Sequence, residues 1–329
     1  METTVQQQSS SQTTENPKPR SLAKIYQHDS WQSAKSLFFK FFLRLVNAKS
    51  GKRWTDAIEG NAKPDKFRAP TPLESLYKEF QITCSQINEN DIYRLEPKEN
   101  KSSIVILYLH GGAYVNNSSK FHWETIQQII KDNNCTVIYP DYPLAPKASH
   151  VEGFQFLDVL YQQILSEVDP NDLVLMGDSA GAGFALAFSQ KLKKEGRKQP
   201  SQLILLSPWL DVTCTNPEMI EVDKYDPMLP IDGLKMCGEL WAKGKDVKNY
   251  LVSPIYGDIE GLPLISIFIS THDILEPDAR KFRDLCDEKG VAINYFNYPK
   301  MIHDWVIMGM SESQKALEQI KELLNERDS

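Results

Sequence analysis

Leu173-Val174-Leu175-Met176-Gly177-Asp178-Ser179-Ala180-Gly181 sets a glycine-flanked serine directly after an apolar run and directly before a helical pattern over 180–194. Four apolar residues without polar alternation read as a strand buried on both faces. A G-x-S-x-G between strand and helix is a sharp turn that holds its serine strained and presented, and its small residues let strand and helix approach. This chain has one such pattern. The turn also places Ser179 at a helix N-terminus, where partial positive charge favours developing negative charge. Ser179 is therefore the candidate nucleophile, and because a hydroxyl is weak it needs an adjacent base. The G-x-G-x-x-G spacing of a nucleotide-binding turn is absent.

Outward from this turn, strand-like and helix-like segments alternate. Further apolar runs lie at 104–109, 136–139, 203–206, 264–269 and 292–298, and helical patterns at 120–133, 154–167, 277–289 and 312–325. Alternating βα units predict a three-layer α/β fold with a mostly parallel central sheet. Two stretches break the alternation. Residues 21–75 look helical or irregular, with Trp31, Phe38, Phe39, Phe41 and Phe42 on an amphipathic pattern. Residues 211–250 carry Pro217, Pro227 and Pro230. Both are expected to pack together as a cap over the C-terminal edge of the sheet, where open α/β sheets bind ligands; two ordinary surface excursions are the alternative. The aromatics of 37–46 are expected inside that cap, with a membrane interface as the competing use.

The other parts of an acyl-transfer site follow in order. His110-Gly111-Gly112-Ala113-Tyr114 comes after the strand at 104–109, where backbone amides can face a developing oxyanion; the amide of Ala180 supplies another. One such donor is worth about 2.7–4 kcal/mol in the transition state. With Ser first, the acid and then the base should follow. Only His272 and His303 lie beyond Ser179. His272 adjoins Asp273, and adjacent side chains generally point apart, so the triad reads Ser179, Asp273, His303, with Asp178, Glu276 and Asp278 as weaker acids. His110 precedes the nucleophile and should anchor its loop by hydrogen bonds. No H-x-x-x-H or comparable ligand cluster suggests a metal, and no cofactor is expected.

Bulk properties narrow the rest. The 329 residues are 41% hydrophobic and 25% charged, as in an ordinary soluble globular protein, with a net charge of -7. Without a basic cluster, nucleic acid is not an expected partner. Five scattered cysteines read as free thiols of a reducing compartment. Residues 1–20 are polar enough to be a disordered tail, and lack the pattern of a signal peptide. The run at 37–46 is broken by Lys40 and Arg44 and is too short to span a bilayer, so no stable membrane anchoring and a cytoplasmic location are expected.

At these residues the chain resembles the hormone-sensitive lipase-like (GDXG) α/β-hydrolase esterases. The matching pieces are HGGAY at 110–114, YPLAP at 142–146, GDSAGAG at 177–183, SPWLD at 207–211, DPML at 226–229, DILEPD at 273–278 and MIHDW at 301–305. The resemblance implies an eight-stranded hydrolase sheet, a helical cap made from 21–75 and an insertion at about 211–250, and a hydrolase domain over 76–329. It also implies cofactor-free carboxylester hydrolysis by Ser179, Asp273 and His303, with Gly111, Gly112, Ala113 and Ala180 at the oxyanion. Two departures stand out. Ala113 replaces a common third glycine, and Pro143 and Lys147 stand where Arg and Glu are common. The expected partner is a small-molecule ester with a small to medium acyl group, and a homodimer is left open. An amidase, deacetylase or peptidase on the same triad is a rival reading; so is a non-catalytic binding protein, as in a plant hormone receptor of this fold that lacks the histidine.

Overall fold

The computed structural model describes residues 24–59 and 68–326, and the expected disorder of 1–20 falls outside them. Among the described residues nine strands form one sheet: β1 (Ile25–Gln27), β2 (Phe80–Ile87), β3 (Asn90–Pro97), β4 (Val105–Leu109), β5 (Thr136–Pro140), β6 (Leu173–Asp178), β7 (Gln202–Leu206), β8 (Leu264–Ile269) and β9 (Ile293–Asn297). Their order is β1-β9-β8-β7-β6-β4-β5-β3-β2. Every pairing is parallel except those that β3 makes with β2 and β5. The helices are α1 (Ala34–Leu45), α2 (Gly51–Ile58), α3 (Glu74–Glu79), α4 (Lys120–Asn133), α5 (His150–Leu165), α6 (Ser179–Lys194), α7 (Met219–Asp223), α8 (Ile231–Ala242), α9 (Glu276–Glu288) and α10 (Ser311–Asn325).

The apolar strand runs are explained by a core on each face. Leu107 and Leu109 of β4, with Leu173, Leu175, Leu203 and Leu205, pack toward α5, α6, α8 and α9. Their neighbours Ile106 and Tyr108, with Val174, Met176, Ile204 and Leu206, pack toward α3, α4 and α10. A strand buried on both sides has no need of polar alternation.

Three differences from the sequence reading have physical causes. The strand count is nine because Ile25–Gln27, expected in the cap, pairs with β9 at the sheet edge. The β2–β3 hairpin turns on Asn88 and Glu89, both at positive φ, in the two-residue form that suits strand twist. Most of β2 is solvent-facing, so little apolar signal marks it. In α1 the buried residues are Ser36, Lys40 and Leu43, whereas Leu37, Phe38, Phe41 and Leu45 face outward. Of the aromatics expected inside the cap, Phe38 and Phe41 are exposed, whereas Phe39 and Phe42 are half-buried and Phe39 packs against the core.

The N-terminal helices and the insertion do meet. Lys49 donates to the Asp223 carbonyl at 2.6 Å, and the Trp54 ring lies 3.2 Å from where a side chain on Gly233 would begin. From the insertion, Trp241 of α8 stacks on Tyr114 at 4.3 Å and joins the core of the sheet face. That contact fixes α8 to the loop after β4.

Candidate active site

Parallel strands end on the same edge, so β6, β8 and β9 deliver residues far apart in sequence to one place. Ser179 opens α6 with φ of +50°. A side chain on Gly181 would begin 2.0 Å from the Leu109 carbonyl, and one on Gly177 2.6 Å from it, so only glycine lets α6 and β4 come this close. Asp273 lies in the loop after β8 and His303 in the loop after β9. His303 Nδ1 is 2.8 Å from Asp273 Oδ2, and its Nε2 is 2.9 Å from Ser179 Oγ. All three are buried. The other acids considered sit elsewhere: Glu276 accepts from Arg280 at 3.0 Å and Asp278 from Asn216 at 2.9 Å.

Both loops are held from outside the triad. Asp273 Oδ1 accepts the Leu275 amide at 2.9 Å, and Ser270 Oγ donates to the Met301 carbonyl at 2.7 Å, tying the acid loop to the base loop. Asp226, within the DPML segment, accepts the amides of Met228 and Leu229 on one oxygen and that of Ile274 on the other. Burial and the neighbouring Asp273 raise its carboxyl to about 6. Lys40 reaches from α1 to His272 Nδ1 and, at 3.1 Å, to the Lys300 carbonyl. His272 stacks on Tyr225, and burial with the Lys40 charge lowers it to about 4, so it serves Lys40 as an acceptor.

Behind the nucleophile lies a buried network. Asp178 Oδ2 accepts the Gly111 amide at 3.0 Å and faces His122 Nε2 at 3.1 Å, while Tyr108 donates to Oδ1 at 2.9 Å. Burial opposes both charges, but the pairing prevails, lowering Asp178 and raising His122. Gly111 was expected among the oxyanion donors; its amide is instead turned onto Asp178. Gly112 (φ +120°) and Ala113 (φ +55°) carry the loop onward, and among the described residues their amides have no protein acceptor. Ala180, second in α6, has an amide with no intrahelical partner. His110 anchors its loop as expected, its Nδ1 lying 2.7 Å from the Gly111 carbonyl. Its ring stacks on Tyr142 at 4.5 Å, the Tyr142 hydroxyl donates to its carbonyl at 2.6 Å, and burial lowers it to about 4.

Asp304 is the residue that motif reading passed over. Its Oδ2 lies 3.1 Å from His303 Nε2, on the nitrogen that also faces Ser179. Its backbone stands at φ +53°, its amide donates to Ser207 Oγ at 3.2 Å, and among the described residues its buried Oδ1 has no partner. Burial raises Asp304 to about 6. Burial would lower His303, yet the Asp273 and Asp304 carboxylates reverse this and hold it well above the usual histidine value. A separate groove of about 410 Å³ between α4 and α10, lined by Thr125, Gln128 and Lys321 among others, shares no residue with this constellation.

A profile of the α/β hydrolase fold matches residues 106–307. An esterase of Acinetobacter venetianus is 30% identical over 237 residues, covering 68% of this chain and 75% of that one. An acetyl-hydrolase of Streptomyces hygroscopicus is 28% identical over 201 residues, 61% of this chain and 67% of its own. The crystal structure of an esterase from the bacterial hormone-sensitive lipase family superposes with a TM-score of 0.78 at 24% identity, over 91% of this chain and all of that one, which is a likeness of fold.

Proposed function

The chain belongs to the α/β-hydrolase-fold family, and from that premise we propose that it is a hormone-sensitive lipase-like esterase that hydrolyses small to medium acyl esters through a Ser179 acyl-enzyme. One observation carries the mechanism: the unbroken hydrogen-bonded line Asp273–His303–Ser179 at a strained strand–helix turn, beside amides that have no acceptor among the described residues.

In the first step Ser179 Oγ attacks the ester carbonyl while His303 Nε2 takes its proton. Asp273 on Nδ1 fixes the ring tautomer and stabilises the imidazolium without taking the proton itself. The carbonyl oxygen becomes an oxyanion facing the amides of Gly112, Ala113 and Ala180. His303 then gives its proton to the departing alcohol. Water repeats the sequence on the acyl-enzyme, releasing the acid and restoring Ser179. Within this scheme the Asp178–His122 pair is a positioning device: by holding the Gly111 amide it leaves the next two amides free for substrate.

The test is hydrolysis of p-nitrophenyl esters of graded acyl length, wild type beside Ser179→Ala. Turnover should fall by about 10⁴-fold or more in the variant. A variant that kept most of its turnover would overturn the mechanism. Matched anilides belong in the same series, since cleavage of these faster than of the esters would overturn the choice of substrate class.

A further inference from the structure

We propose that α1 is an interfacial helix that seats the protein reversibly on an anionic lipid surface. The helix is fixed to the body by Leu43 and the half-buried Phe39, which join the core beneath it, and by its polar side. Ser33, its N-cap, donates its amide and hydroxyl to Glu312 at 2.6 and 2.8 Å, Ser36 Oγ lies 3.4 Å from Met301 Sδ, and Lys40 holds the Lys300 carbonyl. The opposite side is apolar and uncovered among the described residues: Leu37 is 52% exposed, Phe38 68%, Phe41 63% and Leu45 71%. At about 100° per residue these four side chains, with Ala34, form one stripe. Just ahead of the helix Trp31 is 97% exposed, and indole rings settle at headgroup level. Globular proteins rarely leave so continuous an apolar face open without a use for it.

Charge selects the occupant. Arg44 borders the stripe on one margin and Lys35 on the other; each donates to a carbonyl of the body, Tyr225 at 3.5 Å and Gly309, with no carboxylate among the described residues to neutralise it, and α1 contains no acid. From residue 30 to 55 the chain has Lys35, Lys40, Arg44, Lys49, Lys52 and Arg53 with no Asp or Glu, although its net charge is -7. Lys40 is buried and Lys49 is paired with Asp223, so the bordering cations are the ones that count here. An apolar stripe between cations matches the boundary of an anionic bilayer, acyl chains below and phosphates beside. A second copy of the helix would bring the same cations together. Among the described residues no helix is long and apolar enough to cross a membrane.

The full chain should float with vesicles of phosphatidylcholine mixed with phosphatidylglycerol, less so at high salt, and should not float with phosphatidylcholine alone. Phe38→Ser/Phe41→Ser should reduce that partition by at least about tenfold, since two rings leave the acyl boundary. Because both rings point outward, the double variant should keep wild-type turnover on a soluble p-nitrophenyl ester, which shows that it is folded. No flotation of the wild type, equal flotation of the variant, or equal binding to pure phosphatidylcholine would overturn the proposal. So would a wild-type dimer that the variant dissolves without any lipid binding. The readout is lipid partition, so the proposal is independent of the ester chemistry.

Discussion

Two carboxylates flank one imidazole at this site, and that arrangement sets a pH dependence. In the proposed mechanism His303 must be neutral to take the Ser179 proton, whereas Asp273 on Nδ1 and Asp304 near Nε2 both favour the imidazolium. The groups facing Asp304 are His303, Asp178 and Asp273, with His122 and Tyr108 of the network behind the serine. Activity should therefore rise with pH through the raised value of His303, on the alkaline side of an ordinary histidine. Asp304→Asn removes one of the two charges, keeps the shape and suits φ of +53°, since Asn tolerates the left-handed region. The acid limb of the kcat/KM profile should move to lower pH by roughly one unit, about 1.4 kcal/mol of differential stabilisation. A limb that stays in place, or moves to higher pH, would show that Asp304 does not control the base. Stability should run the other way. A histidine raised by folding contributes stability that is complete below its unfolded value and is lost as pH climbs through the folded one. On this account the pH at which His303 stabilises the fold most is the pH at which it is a poor base.

At the scale of elements, the approach of α6 to β4 is the contact on which the nucleophile depends. Gly181→Ala would put a methyl 2.0 Å from the Leu109 carbonyl, a backbone atom that cannot turn aside. We expect about 3 kcal/mol of destabilisation, the upper part of the range for overpacking, measured by denaturant unfolding. A loss under about 0.5 kcal/mol, the size of an ordinary surface change, would mean the strand and helix separate easily. Elements of this kind were the legible ones. The strand over 264–269 and the helix over 120–133 are observed with the bounds read from sequence, because a two-sided core writes continuous apolar runs and a capped helix has clear ends. The meeting of Ser179, Asp273 and His303 was legible because chain order and strand ends constrain where those side chains lie. The edge escaped notice for the opposite reason. A three-residue β1 and a mostly solvent-facing β2 carry too few apolar positions to register. Asp304 and the Asp178–His122 pair escaped because their meaning lies in side chains brought together by the fold. The outward side of α1, with Phe38 and Phe41, was not foreseen because an apolar stripe shows that a face wants covering, and says nothing of what covers it.

Across the whole molecule, stability should be divided unevenly between the sheet and the N-terminal helices, and hydrogen exchange can measure the division. The amides of β4, β6 and β7 lie in the middle of the sheet, paired on both sides and covered by helices on both faces. They should exchange only through global unfolding. The α1 helix buries Ser36, Lys40 and Leu43, and apart from Leu43 and the half-buried Phe39 it is held by polar contacts at Ser33, Ser36 and Lys40. Its amides should therefore open locally, several orders of magnitude faster than those of β6, without disturbing the sheet. That opening has a chemical consequence, because the Lys40 that leaves with the helix also holds the Lys300 carbonyl, three residues before His303. Lys40→Met removes this tie while keeping the length of the stem. It should speed α1 exchange further, leave β6 exchange in place, and lower kcat on a soluble ester more than it changes KM, since the loss falls on the positioning of the base. Exchange of α1 as slow as that of β6 would show one cooperative unit. A Lys40→Met enzyme with unaltered kcat would show that the remaining ties suffice to hold the base loop: Gln32 on the Lys300 carbonyl at 2.6 Å, Thr271 on its amide, Ser270 and Asp304.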